Sequence, residues 1–242
     1  MAITLPVVTE FGQRLRGLGW VSGLLVAGSL ATGDYVPGVS DLDLVALADG
    51  PVGPDRQAQL AAVHGGFAEN LNLGCVYVDS ACRGDPALQH PTWTHGQLVQ
   101  RILSGVTRAE LVRHGYAVFG RAPAELFPAM SDDDDVRAAA RAELTGYWAW
   151  AARRPWIWLD PTIADLGLTS MARGRHALAH GDLLTKSRAI DRIDAPGWLV
   201  AQVRARRRGE KVASPRVRTA LIAWRDARRT VRRAALTPAS RP

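Results

Sequence analysis

Lysine is nearly missing from this chain: among 30 basic residues only Lys186 and Lys211 are lysine, and the rest are arginine. Against 23 acidic residues this leaves a net charge of +7. An arginine excess fits nucleic-acid binding, and it fits equally well the codon bias of a GC-rich genome. The basic residues gather towards the C-terminus, from Arg204 to Arg233, with no stacking platform of aromatics between them. They read mainly as a solvated helix face, with nucleic acid as the minority partner. Cysteine is scarce too. Cys75 and Cys82 are the only two, which leaves no disulfide framework and fits a reducing compartment. Cys75 lies in an apolar run and reads as core, and no nearby Cys/His set offers the four ligands of a zinc site.

Long apolar runs are lacking as well. None approaches the ~20 residues that span a bilayer. The N-terminus, Met1-Ala2-Ile3-Thr4-Leu5-Pro6, has neither the basic start nor the apolar core of a signal peptide. A cytoplasmic protein without a membrane partner is expected, and a monomer. No internal repeat or low-complexity stretch stands out. With 47% hydrophobic and 22% charged residues over 242 positions, the chain has the make-up of a soluble protein with one large domain or two small ones.

What is present begins with a turn and a pair of acids. Ala27-Gly28-Ser29 ends the apolar run Gly23–Ala27, and Ser40-Asp41-Leu42-Asp43-Leu44 opens the next, Leu42–Ala48. In a strand, residues two apart point to one face, so Asp41 and Asp43 would stand side by side with Cα atoms roughly 6–7 Å apart. Carboxylates held that close repel. A divalent cation removes the conflict, and Mg²⁺ takes one or two carboxylates, completing its shell with waters and nucleotide phosphate oxygens. The amides around Gly28 and Ser29 can approach a phosphate because glycine has no Cβ in the way.

Around this pattern the periodicity predicts a helix over 8–18, with Phe11, Leu15 and Leu18 on one face, and a strand over 20–27. A strand over 41–47, a helix over 55–70 with Leu60, Val63 and Phe67 in line, and a strand over 73–78 follow. Residues 83–94 read as a loop, 97–106 as a strand or short helix, 109–115 as a helix and 117–120 as a short closing strand. Ser131-Asp132-Asp133-Asp134 reads as a helix start, with the serine as cap and the aspartates on the positive end of the dipole. Helices are then expected over 132–153, 162–180, 185–192, 196–208 and 214–234, broken at Gly181-Asp182, Asp194–Gly197 and Ser214-Pro215.

The Gly-Ser turn, the gap and the Asp-x-Asp strand together resemble the nucleotidyltransferase superfamily of DNA polymerase β. The helical second half is similar to that of aminoglycoside adenylyltransferases acting on streptomycin and spectinomycin. Met171-Ala172-Arg173 matches a Leu-Ala-Arg element there, and Leu184-Thr185-Lys186-Ser187-Arg188-Ala189 a Thr-Lys or Ser-Lys element opening the next helix. The resemblance implies an α/β nucleotidyltransferase domain with a mixed sheet over residues 1–125 and an all-α bundle over 126–242. It implies Mg²⁺ on Asp41 and Asp43, and ATP as co-substrate held by Gly28, Ser29, Ser40, Arg173 and Lys186. The last two would neutralise phosphate charge, with Thr185 as a cap fixing the lysine. The activity implied is transfer of AMP, or another nucleoside monophosphate, to a hydroxyl of a small molecule such as an aminoglycoside.

There is one departure. The family's third carboxylate, a glutamate acting as base on the next core strand, falls on Gly74 here. Asp79 is the only acid on that strand and has the opposite parity, so it serves as a relocated base only if the strand kinks. Two alternatives stay open: a nucleotidyltransferase acting on tRNA or protein, which the basic C-terminus favours, and a nucleotide-binding relative without catalysis, which the missing base at Gly74 favours. Trp93 and His95, in His90-Pro91-Thr92-Trp93-Thr94-His95, stand where an acceptor could enter, and a structural loop is the other reading. Trp156 and Asp160 correspond to a tryptophan and an aspartate that hold the aminoglycoside in the resembling family, and core packing is the alternative for Trp148, Trp150, Trp156 and Trp158. His176 and His180, four apart, read as a helix-surface pair.

Overall fold

The run that follows Asp41 becomes the middle of a sheet. In the computed structural model, which describes residues 5–127, 130 and 132–236, the chain divides into two compact units, Met1–Ser131 and Asp132–Pro242.

The first unit runs α1 (Pro6–Arg16), β1 (Val21–Val26), α2 (Gly28–Ala31), β2 (Leu42–Ala48), α3 (Pro54–Gly65), β3 (Leu73–Asp79), β4 (Gln89–Thr94), β5 (Gln97–Ile102), α4 (Gly105–His114), β6 (Tyr116–Phe119) and α5 (Pro123–Leu126). The sheet order is β5-β4-β3-β2-β1-β6. It is mixed: β2 and β3 are parallel, and the other pairs are antiparallel. The parallel pair needs a crossover, and α3 supplies it. Alternation along β2 splits the core in two. Leu42, Leu44 and Ala46 pack with Phe11 and Leu15 of α1 and Leu60 of α3. Val45 and Leu47 face the other way, onto Leu103 and Leu111. A strand buried on both faces reads as a nearly unbroken apolar run, which is how 44–48 looks in the sequence.

β4 corrects the expected loop over 83–94. Pro91 speaks against a strand because it cannot donate to a ladder. The β3 ladder to β4 stops at Val76 opposite Thr92, so Pro91 lies just beyond it and pairs only with Gln100 of β5. The hairpin turns on His95 and Gly96, with φ of 49° and 75°; two successive positive φ values match the twist of a two-residue hairpin. The segment 97–106, open between strand and helix, is a strand to Ile102. The helix expected to reach Asn70 stops at Gly65, and a 3₁₀ turn covers Glu69–Leu71.

The second unit is helical: α6 (Asp133–Glu143), α7 (Ala149–Ala152), α8 (Pro161–His180), α9 (Lys186–Ile190), α10 (Gly197–Arg207) and α11 (Arg216–Leu236). The expected cap Ser131 lies outside the described residues. Asp132 fills the position: Asp135 N–H donates to its carboxylate at 2.8 Å, and Asp132 N–H donates back to Asp135 at 3.3 Å. Such reciprocal capping satisfies two otherwise orphaned donors. The helix expected over 132–153 is interrupted by a π-helical segment, Leu144–Trp148, and a 3₁₀ turn, Pro155–Leu159, precedes α8. The four clustered tryptophans divide: Trp148 and Trp158 are core, while Trp150 and Trp156 are exposed. Trp158 donates to Ala151 O at 3.1 Å, and its ring lies where a side chain at Gly167 would be.

Candidate active site

The site starts where β1 gives way to α2. Gly28 has φ +60°, a conformation that favours glycine. A second constraint acts on the same atom. The Asp43 carboxylate occupies the space a Cβ at residue 28 would need, with Asp43 Cγ 2.8 Å from that position. The strands hold this approach in place: Ala27 N–H donates to Asp43 O at 2.9 Å, and Val26 lies opposite Leu44. Glycine here is thus required by backbone conformation and by the acid across from it.

Ser29, next along, is 5% exposed, and its Oγ is buried with no hydrogen-bond partner. A buried hydroxyl left unsatisfied costs about 1–3 kcal/mol, which a bound acceptor oxygen would relieve. Its backbone is engaged, since Asp34 N–H donates to Ser29 O at 2.8 Å. Ser40 is also buried, but its hydroxyl accepts from Val36 N–H at 3.0 Å and closes the 36–40 turn. That turn delivers Asp41, exposed, and Asp43, half-buried, to the start of β2. Asp43 shares the parity of Val45 and Leu47 along β2, and Asp41 lies one residue before the strand begins.

Gly74 lies level with Asp43 in the parallel ladder. The nearest atoms to a Cβ there are Leu42 O and Trp93 O, both at 3.7 Å, so space does not exclude a side chain. Asp79 pairs with Ala48 at the opposite end of the strand. Five residues separate it from Gly74, roughly 16 Å of strand, and its carboxylate accepts from Ala81 N–H at 2.9 Å. The unbroken register gives no kink, so Asp79 does not reach the Asp43 end and serves a turn.

Among the described residues no group of three or more His, Cys, Asp or Glu side chains is placed to hold a metal ion. The donors shown at the Gly28 turn are the Asp43 carboxylate and the bare hydroxyl of Ser29, with Asp41 two residues earlier in the chain. That set suits Mg²⁺ arriving with a nucleotide, because magnesium takes few protein ligands and keeps waters and phosphate oxygens.

Trp93 does not join the acids. It is opposite Cys75, on the α1/α3 face, and its ring stacks on His64 with centroids 4.4 Å apart and planes at 8°. His64 in turn meets the Tyr77 hydroxyl at 2.7 Å, and burial lowers its pKa to about 3. His95 is exposed at the hairpin tip, its Nδ1 2.9 Å from Thr94 Oγ1.

In the helical unit, Arg173 of α8 donates through Nε to Leu184 O at 2.9 Å. This ties the Met171–Arg173 element to the segment that opens α9. Thr185 caps that helix, accepting from Arg188 N–H at 3.3 Å, and sets Lys186 at its first position. His176 and His180 share a face, with rings 4.5 Å apart. His176 is mostly buried, which lowers its pKa, with His180 and Arg192 acting in the same sense against Asp182. Asp160 is the cap of α8, accepting from Thr162 N–H at 2.8 Å. Trp156 stands with Trp150, Arg153 and Arg154 around a shared space. Sequence reasoning passed over these two arginines; the signal was Arg153-Arg154 set between Trp150 and Trp156.

A mixed six-stranded sheet that carries a Gly-Ser turn against an Asp-x-Asp strand, followed by a helical part, defines an adenylyltransferase-like fold. The crystal structure of spectinomycin adenyltransferase AAD(9) from Enterococcus faecialis, with ATP and spectinomycin, is similar to this chain. The likeness covers 91% of this chain and 98% of that one, with a TM-score of 0.71 and 15% identity, and it is a likeness of fold. No protein-family model matches the sequence, and no curated protein matches it. Among the described residues no helix is long and apolar enough to cross a membrane.

Proposed function

We propose that the chain transfers AMP from ATP to a hydroxyl group of a small molecule. The observation that carries this reading is the seat of Asp43 on Gly28, with the unpartnered hydroxyl of Ser29 beside it. A magnesium-bound nucleotide phosphate would use both groups, the acid as a metal ligand and the glycine for close backbone approach. The similarity to an adenyltransferase crystallised with ATP and spectinomycin supports the choice of ATP, and an aminocyclitol is the first acceptor to try.

Asp41 and Asp43 would hold Mg²⁺, which supplies charge neutralisation on the triphosphate. Ser29 would donate its hydroxyl proton to a phosphate oxygen, and the amides of the Gly28 turn would bind alongside. Arg173 and Lys186, the cations the sequence resemblance points to, would supply positive charge to nucleotide phosphate. The acceptor oxygen bonds to the α-phosphorus, the bond to the β-phosphate oxygen breaks, and pyrophosphate leaves. The acceptor proton passes to solvent, since Gly74 provides no base level with Asp43. Reaction of this type runs largely on positioning and electrostatics. The test is pyrophosphate release from ATP and Mg²⁺ with spectinomycin or streptomycin, with Asp43→Asn as control. Acceptor-dependent release that the control loses is expected. Release that Asp43→Asn retains would overturn the reading.

A second reading is favoured by Gly74 alone: nucleotide binding without transfer. It predicts Mg-dependent ATP binding with no pyrophosphate released for any acceptor.

A further inference from the structure

We infer that the helical unit carries a second ligand site, a shelf of Trp150, Arg153, Arg154 and Trp156 that binds a planar heteroaromatic anion of mononucleotide size. The proposal does not rest on the transfer reaction.

The stretch Tyr147–Trp156 sorts its side chains to two sides. Trp148, Ala151 and Ala152 go to the core. Tyr147, Trp150 and Trp156 stay out, at 49%, 43% and 62% exposure. Three large rings left in water within ten positions form a patch that calls for a ligand or partner. Trp150 has ring and guanidinium neighbours. The Tyr147 ring stacks beside it at 5.8 Å and 24°, and the Arg154 guanidinium lies 4.4 Å from its centroid. Among the described residues no ring or guanidinium stacks on Trp156, so its face is open. The arginines are anchored. Arg153 Nε donates to Ala149 O and Arg154 Nη1 to Trp150 O, each at 3.1 Å. Neither pairs with a carboxylate among the described residues. These four side chains line an open shelf of about 560 Å³. The helix leading into it is π-helical over Leu144–Trp148, a rare geometry that recurs at functional sites.

Charge decides the occupant. Two guanidiniums repel a polycationic aminosugar, and they repel their own images in a second copy of the chain. A planar ring stacks on indole, and a phosphate matches the guanidinium fork. A ligand that carries both satisfies the whole shelf.

Flavin mononucleotide is a suitable probe, because its fluorescence is quenched when the ring stacks on tryptophan. Riboflavin is the same ring without the phosphate. With the full chain, saturable quenching of flavin mononucleotide is expected, with riboflavin roughly tenfold weaker. Trp156→Ala should weaken binding roughly tenfold, the typical scale of one stacked ring, with circular dichroism unchanged. The double change Arg153→Ala and Arg154→Ala should bring flavin mononucleotide down to riboflavin. Lys186→Ala and Asp43→Asn should leave the quenching within about twofold, which separates this shelf from the ATP site. Absence of saturable quenching, equal binding of riboflavin, loss of binding in Lys186→Ala, or binding of an oligoadenylate without the mononucleotide would each overturn the proposal.

Discussion

The start of β2 and the Tyr147–Trp156 stretch both bring polar groups and open space together, by different means. At β2 the backbone does the work. Asp43 is fixed by strand alternation and by the ladder to β1, and Gly28 meets it through a turn that only glycine readily makes. At Tyr147–Trp156 long side chains do it, through ring stacking and arginine bonds to carbonyls one turn away. A backbone-built site tolerates almost no change at its centre. A site built from side chains loses affinity one contact at a time.

That contrast can be broken most sharply at Asp43. Asp43→Asn should lower AMP transfer about 10³-fold, the scale of losing one electrostatic stabiliser, while thermal unfolding stays near wild type. A fall of only two- or threefold in a pyrophosphate assay would place the site elsewhere. Next in size is a control on the helical unit's own interior. Asp226 of α11 is 1% exposed and paired with Arg175 of α8 at 2.7 Å, with Thr230 sharing the same guanidinium. Burial raises the pKa of Asp226 against the pull of Arg175 and Arg229. Arg175→Met leaves that buried acid with only Arg229, 3.5 Å away and exposed, as a cationic partner, so a loss approaching about 3 kcal/mol in urea unfolding is expected. Replacing both, as Arg175→Met with Asp226→Leu, should recover most of it.

Gly74→Glu sharpens the comparison in the other direction. It sets a carboxylate level with Asp43, where a Cβ meets nothing nearer than 3.7 Å. A rise of about 10²-fold in transfer at neutral pH is the expected contribution of a general base, read as kcat with KM for ATP unchanged. A further prediction concerns pH. His64 carries a folded-state pKa of about 3, against 6.5 as its ordinary value. The unfolded chain therefore binds the proton more readily. The stabilisation is complete above about pH 6.5 and is lost progressively as pH falls towards about 3. Unfolding midpoints measured between pH 7 and 4 should fall less steeply in His64→Phe than in wild type.

How far the sequence could be read follows from the same contrast. β2 and the glycine turn before it were legible because period two and a missing Cβ are local properties, although the strand begins at Leu42 and leaves Asp41 just outside it. The helices from Pro161 onward were legible from caps such as Thr185 and from Gly181. β4 was not, because Pro91 argues against a strand, and only the register shows that its missing donor meets no partner in β3. The acid cap moved to Asp132 because four adjacent residues could each fill it, and geometry alone chooses among them. The tryptophans were unreadable for a related reason. Trp148 and Trp150 are two apart in a helix, which sends one inward and one outward, and a composition count cannot tell which. The side of the sheet taken by Trp93 depended on its register with Cys75 of the neighbouring strand β3.

The central claim is that Asp43, seated on Gly28, gathers a magnesium-bound nucleotide. Isothermal titration of ATP into the wild-type chain and into Asp43→Asn, each with and without Mg²⁺, tests it most directly. The account predicts binding in wild type with Mg²⁺ and its loss in the other three cases. Equal binding in all four, by protein whose circular dichroism is unchanged, would contradict it.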